Sequence, residues 1–416
     1  MPTLWTLIAL LSVLSSTLAD DNDTDLIDYK ALFGDSPRRD LPFPDLVKYD
    51  NYPVEVHNVT TSDGYILSLF RIPLNETCEP DESKVPHIFM HGLYLTGDDC
   101  IIPGPGKAHC YIYADNCLDV WVPNNRGNRY SRNHVSLNPD KDPEFWDFTV
   151  DEMALYDLPA IIDYILDNTG KSQVSYVAHS QGVATLLMLC AKKPEYNAKI
   201  KVGFGLSTTA YLEHSRFLLI PFQGIAADLM KRSDNTNFEF VAHGSIVQKT
   251  GKLLCGLNPL QYPFCSVLVF AALGYNRFQI TDETLRVVTG HTPGGTSYKD
   301  FLRWGQMRNN GFAEYDYGIS GNLKKYGRFQ PPLIDLSAIT MKWYFISSYN
   351  DFVGDVRDIA KLMARLSNVT QCILADKTFG HLDFIYGKDI PNYITPKVLS
   401  VLKGEGFPCD GDCSST

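Results

Sequence analysis

The 416-residue chain predicts an α/β protein with a mostly parallel central sheet, flanking helices and one large insertion. Three observations predict it. Short β-branched and apolar runs alternate with helical periodicity up to about residue 206, the rhythm stops over 207–334, and it resumes to about residue 402. With 44% hydrophobic and 20% charged residues, the composition suits a large core.

At the N-terminus, the apolar run Leu4 to Leu14, then Ser15-Ser16-Thr17-Leu18-Ala19 and the acidic Asp20-Asp21-Asn22-Asp23, fit a secretory signal over residues 1–19 without a basic n-region. The run is too short to span a bilayer. Residues 20–50 are acidic and proline-rich and are expected as an extended arm or short propeptide. The first part of the core is placed at 51–206. There, Val54–Thr60 and Tyr65–Ile72 alternate around Ser62-Asp63-Gly64, a hairpin signal. Val85 to Met90 reads as a buried strand running into His91-Gly92-Leu93, and Asp119 to Pro123 as another, followed by the polar turn Asn124 to Asn128. In that turn Arg126 either pairs with a carboxylate under the site or lies exposed. Met153, Leu155, Ile161, Ile162 and Ile165 recur at helical spacing, with Pro159 starting or kinking the helix. Strand, helix and strand through Val177 form a βαβ unit, hence a parallel sheet.

Residues 207–334 are aromatic-rich and mainly helical in pattern, and are expected as an inserted cap or lid domain. The second part of the core, 335–408, carries a strand at Met341–Ser347, a helix at Asp355–Leu366, a strand at Val369–Ala375 and a helix at Asn392–Leu402. Residues 409–416 are expected as a tail.

The net charge of -11 and the lack of a basic stripe exclude a nucleic-acid partner. Ten cysteines point to an oxidising compartment. The sequons at Asn22, Asn58, Asn75 and Asn368, candidate glycosylation sites, agree with export. A metal site at Cys409 and Cys413 is rejected because no histidine stands at zinc spacing; no metal or cofactor is expected.

The chemistry centres on Val174 to Gly182 and the apolar run after it. A strand, a serine between small residues and a helix form a nucleophile elbow, which projects a hydroxyl from a sharp turn beside the helix's first N–H groups. Ser180 is the candidate nucleophile. Such a serine needs a histidine base and a carboxylate to orient it. Asp351, just past a strand end, and His381, between the last strand and the final helix, follow Ser180 in the order acid then histidine. Asp355 competes with Asp351 but falls where a helix N-cap is expected, and Asp358 lies within that helix. The backbone N–H groups of Leu93 and Gln181 are the candidate oxyanion donors.

Taken together, Tyr52-Pro53-Val54-Glu55, Thr61-Ser62-Asp63-Gly64-Tyr65, His91-Gly92-Leu93, Asn125-Arg126-Gly127-Asn128, Asp151-Glu152-Met153, Tyr156-Asp157-Leu158-Pro159, His179-Ser180-Gln181-Gly182, Asn350-Asp351 and His381-Leu382-Asp383-Phe384 resemble the animal acid lipases of the gastric and lysosomal type, including insect relatives. The resemblance runs from about residue 45 to about 402. It implies an α/β-hydrolase fold with a cap, a Ser180/Asp351/His381 triad and hydrolysis of neutral lipid esters, triacylglycerols or sterol esters, by a secreted or lysosomal enzyme at an oil–water or membrane surface. Ala178 stands where the elbow's first glycine is usual, and Thr96-Gly97-Asp98-Asp99-Cys100 departs from the family's serine-rich segment. Cys255 and Cys265 match a cysteine pair in the family's cap and are expected to be bonded, the alternatives being other partners or free thiols. Part of the cap is expected to act as a mobile lid. Two other readings remain, an esterase for smaller soluble esters and a lipid-binding relative without catalysis.

Overall fold

The alternation in the sequence becomes a ten-stranded sheet. The computed structural model describes residues 36–416 apart from 76, 77, 80, 82, 218, 231–235, 250–272, 275 and 277. Its strands are β1 (Glu55–Thr60), β2 (Tyr65–Ile72), β3 (His87–Met90), β4 (Val120–Pro123), β5 (Asn133–His134), β6 (Val174–His179), β7 (Ile200–Leu206), β8 (Glu239–Phe240), β9 (Thr296–Ser297), β10 (Trp343–Ser347), β11 (Val369–Ile373) and β12 (Asp412–Ser415). The helices that matter below are α1 (Phe43–Tyr49), α2 (Leu158–Thr169), α3 (Gln181–Lys192), α4 (Leu219–Met230), α5 (Asp282–His291), α6 (Tyr298–Asn310) and α7 (Val356–Met363).

The sheet runs β1-β2-β4-β3-β6-β7-β10-β11-β12, with β5 beside β2. From β4 to β11 all neighbours are parallel, and antiparallel pairs form the two edges. The chain leaves β3 for β4 on one side and crosses back past β3 to β6 on the other, so a crevice opens at the carboxyl ends of β3 and β6. Every residue of β6 is buried, as a strand covered on both faces requires. Its side chains alternate between two apolar clusters, with Val174, Tyr176 and Ala178 in one and Val177 in the other. On α3, Gln181 through Cys190 are all buried, which explains the near-continuous apolar run after the elbow.

Two expectations need correction. Residues 36–50, expected as part of an extended arm, are folded: Phe43, Leu46 and Val47 on α1 are fully buried, Phe43 stacks on Phe70 at 4.4 Å, and Arg38 pairs with Asp50. Proline and acid content hid an apolar face at helical spacing. Residues 409–416, expected as a tail, contain β12, which pairs antiparallel with β11, and Cys409 is bonded to Cys372. Pro159, expected to start or kink its helix, stands in the first turn of α2, which follows directly on a π turn, Met153–Asp157.

Between β7 and β10, α4 and α6 pack around Ala227, Phe301 and Leu302, and β8 and β9 form a separate two-stranded ribbon. Trp304 and Met307 of α6 reach into the cluster beneath the sheet. Among the described residues, Cys78–Cys117 and Cys100–Cys110 are also disulfide-bonded, while Cys190 and Cys413 are free. The expected pair Cys255 and Cys265 lies outside the described residues, as does Asn22. Asn58 and Asn75 are exposed and Asn368 is partly exposed.

Candidate active site

Ser180 directly follows β6 with φ 52° and ψ −117°, a conformation that L-residues rarely hold outside strained turns. Gly182 follows in the first turn of α3, and a Cβ there would lie 2.8 Å from Met90 Cγ and 2.9 Å from the His91 carbonyl oxygen. Helix and β3 therefore meet backbone to backbone. Ala178 shows no positive φ; it sits in ordinary strand pairing between Met90 and Gly205, so this geometry does not demand glycine there.

The structure brings Ser180, His381 and Asp351 together from three separate loops. His381 Nε2 lies 3.1 Å from Ser180 Oγ, and its Nδ1 lies 2.9 Å from Asp351 Oδ1. Asp351 is fully buried. Burial alone would push its carboxyl up, but the facing His381 ring, the Ser207 hydroxyl and the Gly354 N–H outweigh it and hold the group below its ordinary range. Asp355 caps α7 by accepting from Arg357 N–H at 2.9 Å, and Asp358 accepts from the His214 backbone and ring. Neither carboxylate is bonded to His381. The His381 loop is fixed from the insertion, as His381 N–H donates to the Leu273 carbonyl at 3.1 Å and a Cβ on Gly380 would fall 2.5 Å from the Gly274 oxygen. Close approach, rather than a positive φ, is why glycine stands at 380.

Of the two candidate oxyanion donors, Leu93 follows the turn after β3 and Gln181 opens α3 directly after Ser180. A Cβ on Gly92 would approach Ser180 Cβ to 3.2 Å, so that turn passes directly against the serine. His91 holds it. Its Nε2 accepts from Asn125 N–H at 3.1 Å, which leaves Nδ1–H to donate to the Gly92 carbonyl at 2.8 Å. Burial lowers the His91 pKa to about 4, so the ring is neutral and this tautomer persists. The next residue, Arg126, is 1% exposed and donates to Asp63 and Asp157 while lying 3.9 Å over the Tyr65 ring. Of the two readings of Arg126, the carboxylate-paired one is observed. The Gln181 side chain accepts from Trp304 Nε1 at 2.7 Å, tying the start of α3 to α6.

The departing segment after His-Gly-Leu forms a short 3₁₀ turn, Gly97–Cys100, capped reciprocally by Thr96 and Asp99. Asp98 pairs with His291 and Arg129, and Asp99 accepts from the Tyr386 hydroxyl. These buried contacts anchor α5 and the His381-bearing segment to the loop beyond Leu93. Burial pushes Asp99 up to about 6.

Ser180 and His381 open into a cavity of about 370 Å³ lined chiefly by apolar side chains, among them Phe217, Ile220, Leu273, Ile280, Leu285 and Val288. Among the described residues, Glu213, His214 and Asp358 place three ligand-type atoms within 4.8 Å of one another. Their polar groups are already taken up by His214–Asp358 and Glu213–Lys361 pairs. Sequence reasoning missed Ser207, whose hydroxyl contacts both Asp351 and His381. A serine just past a strand end carries little signal on its own.

This sheet, its crevice and the elbow define an α/β-hydrolase. The sequence models of the partial alpha/beta-hydrolase lipase region and of the alpha/beta hydrolase fold match residues 43–103 and 88–208. A crystal structure of a candidate lipase from Sulfolobus solfataricus superposes with TM-score 0.51 at 13% identity, covering 84% of this chain and 99% of the other. Lipase 1 of Drosophila melanogaster is 31% identical over 93% of this chain and 84% of its own length. Gastric triacylglycerol lipase of Rattus norvegicus is 32% identical over 88% of this chain and 93% of its own length. The chain belongs to the animal acid lipases of the gastric and lysosomal type, a family of carboxylic-ester hydrolases.

Proposed function

We propose that the protein hydrolyses esters of neutral lipids, triacylglycerols or sterol esters, through an acyl-enzyme formed on Ser180. The observation that carries this reading is the Ser180–His381–Asp351 chain of contacts on a strained turn at the floor of an apolar cavity of about 370 Å³. In the first half, Ser180 Oγ bonds to the ester carbonyl carbon as its proton passes to His381 Nε2. Asp351 holds the Nδ1–H tautomer and offsets the imidazolium charge. The carbonyl oxygen, now anionic, accepts from the N–H groups of Leu93 and Gln181. His381 then protonates the departing alkoxide, and in the second half it takes a proton from water whose oxygen bonds to the acyl carbon, then returns that proton to Ser180 Oγ as the acyl–oxygen bond breaks and the fatty acid leaves.

Residues 207–334 act in this reading as the cap over the acyl chain. The exposed Leu219, Phe222, Ile225 and Leu229 on α4, beside the cavity-lining Ile220, support contact with a lipid surface. Three disulfides among the described residues and the gastric type of the relatives support a secreted or lysosomal setting. No helix among the described residues is long and apolar enough to cross a membrane.

The test is hydrolysis of triolein, cholesteryl oleate and a short soluble ester by the purified full chain across pH. Turnover of at least one long-chain ester is expected. Turnover of the short ester alone would replace the lipase reading with a soluble-ester esterase, and no turnover at all would point to a lipid-binding relative.

A further inference from the structure

Ser207 is the first residue past β7, fully buried, with φ +52°. Its backbone N–H donates to the Ile346 carbonyl at 3.1 Å, which fixes it beside the strand that leads to Asp351. A left-handed backbone favours glycine, so a serine held there spends conformational stability on whatever its side chain does. That side chain sits between Asp351 and His381. Asp351 Oδ1 accepts from His381 Nδ1 and from the Val353 and Gly354 N–H groups, each at 2.9 Å. Asp351 Oδ2 accepts from the Ser207 hydroxyl, whose oxygen in turn lies against His381 Nδ1. The hydroxyl dipole is thereby aligned with the pair, hydrogen toward the carboxylate and oxygen toward the imidazole N–H.

We propose that Ser207 is a positioning residue of the active centre: its hydroxyl fixes the carboxylate against His381 and stabilises the imidazolium–carboxylate pair that forms as Ser180 gives up its proton. This rests on the reading of Ser180, His381 and Asp351 as the catalytic triad. Among the described residues, His381 is the titratable group that pairs with the Asp351 carboxylate. Burial holds the pKa of His179, whose ring centroid lies 4.7 Å from that of His381, well below the ordinary imidazole range, and raises that of Asp383 well above the ordinary carboxylate range. Arg216 reaches the Asp351 backbone carbonyl. Because the imidazolium–carboxylate pair loses an aligned dipole when the hydroxyl is removed, the acid limb of the rate profile should move to lower pH.

The experiment uses a fluorophosphonate, from which Ser180 Oγ displaces fluoride at phosphorus as His381 takes the hydroxyl proton, so activation of the serine is read without any lipid. Labelling rates against pH are measured for the parent, Ser207→Ala, Ser207→Gly and, as a blank, Ser180→Ala, together with thermal midpoints. Both Ser207 variants should label Ser180 more slowly, on the order of ten- to a hundredfold, the range set by one hydrogen bond to a charged group. The acid limb should shift downward in both. Glycine suits the backbone at φ +52°, so a parent-like rate in Ser207→Gly would show that the site needs only its backbone and would overturn the proposal. An unmoved acid limb would do the same. Parent labelling of Ser180 with no turnover of any lipid ester would sink the substrate reading alone, and no labelling of the parent would sink both.

Discussion

At the residue scale, three aspartates compete for one role within eight positions, and their surroundings separate them. Asp351 is the one bonded to His381, Asp355 ends as a helix cap, and Asp358 serves His214. Asp351→Asn should therefore cut kcat by roughly four orders of magnitude, since an amide favours the wrong imidazole tautomer. Asp355→Asn should cost about 1 kcal/mol or less in stability and little activity. Steady-state kinetics with denaturant melts on both variants check the ranking, and a larger activity loss at 355 would reverse the assignment. Ser180, Asp351 and His381 were legible because each needs a particular residue type at a particular kind of boundary: strand to helix, strand end, and the loop before the last helix. Ser207 was not, because its role depends on a left-handed φ and on two partners more than a hundred positions away, and none of these leaves a mark in local sequence.

At the element scale, the Asn125-Arg126-Gly127-Asn128 turn gains its meaning from what it holds. Asn125 N–H fixes His91, His91 fixes the Gly92 carbonyl, and Arg126 locks the turn to Asp157 at the end of the π turn. Both members of that ion pair are almost wholly shielded from water, with side chains 1% and 0% exposed. Arg126→Met should then cost about 3–5 kcal/mol by leaving a buried carboxylate without its partner. Adding Asp157→Leu should recover a large part of the loss, and urea melts of both variants measure it. A single variant within about 1 kcal/mol of the parent would mean water reaches Asp157. The parallel strands were legible because burial on both faces writes them as unbroken apolar runs. Helix α1 and strand β12 were not: the first hides three core residues among prolines and acids, and the second is an exposed edge whose pairing comes from β11 and the Cys372–Cys409 bond rather than from an apolar pattern.

At the scale of the whole molecule, the core and the segment inserted between β7 and β10 are joined around buried carboxyls, and this makes stability depend on pH. Asp300 on α6 is fully buried, accepts from Val150 N–H at 2.8 Å, and is pushed up to about 7 mainly by burial. Its folded pKa lies above its unfolded value near 4, so the folded state holds a proton that the unfolded chain releases as pH rises. The contribution is neutral below about pH 4, grows unfavourable up to about pH 7 and is constant beyond. Asp300→Asn, which keeps an acceptor and removes the charge, should match the parent at pH 4 and exceed its thermal midpoint increasingly toward pH 7. A difference independent of pH would contradict the burial argument. The insertion was recognisable from the sequence as a break in rhythm, but not the contacts by which α6 grips Gln181, because Trp304 and Gln181 lie far apart in the chain. The central claim is that acyl transfer runs through Ser180, and trapping the intermediate tests it most directly: turnover of triolein is quenched in acid and the digested protein is mapped by mass spectrometry. The account predicts an oleoyl ester on the Ser180 hydroxyl, absent from Ser180→Ala, which should also lose hydrolysis by three orders of magnitude or more. An oleoyl group on another side chain, or sustained turnover by Ser180→Ala, would contradict it.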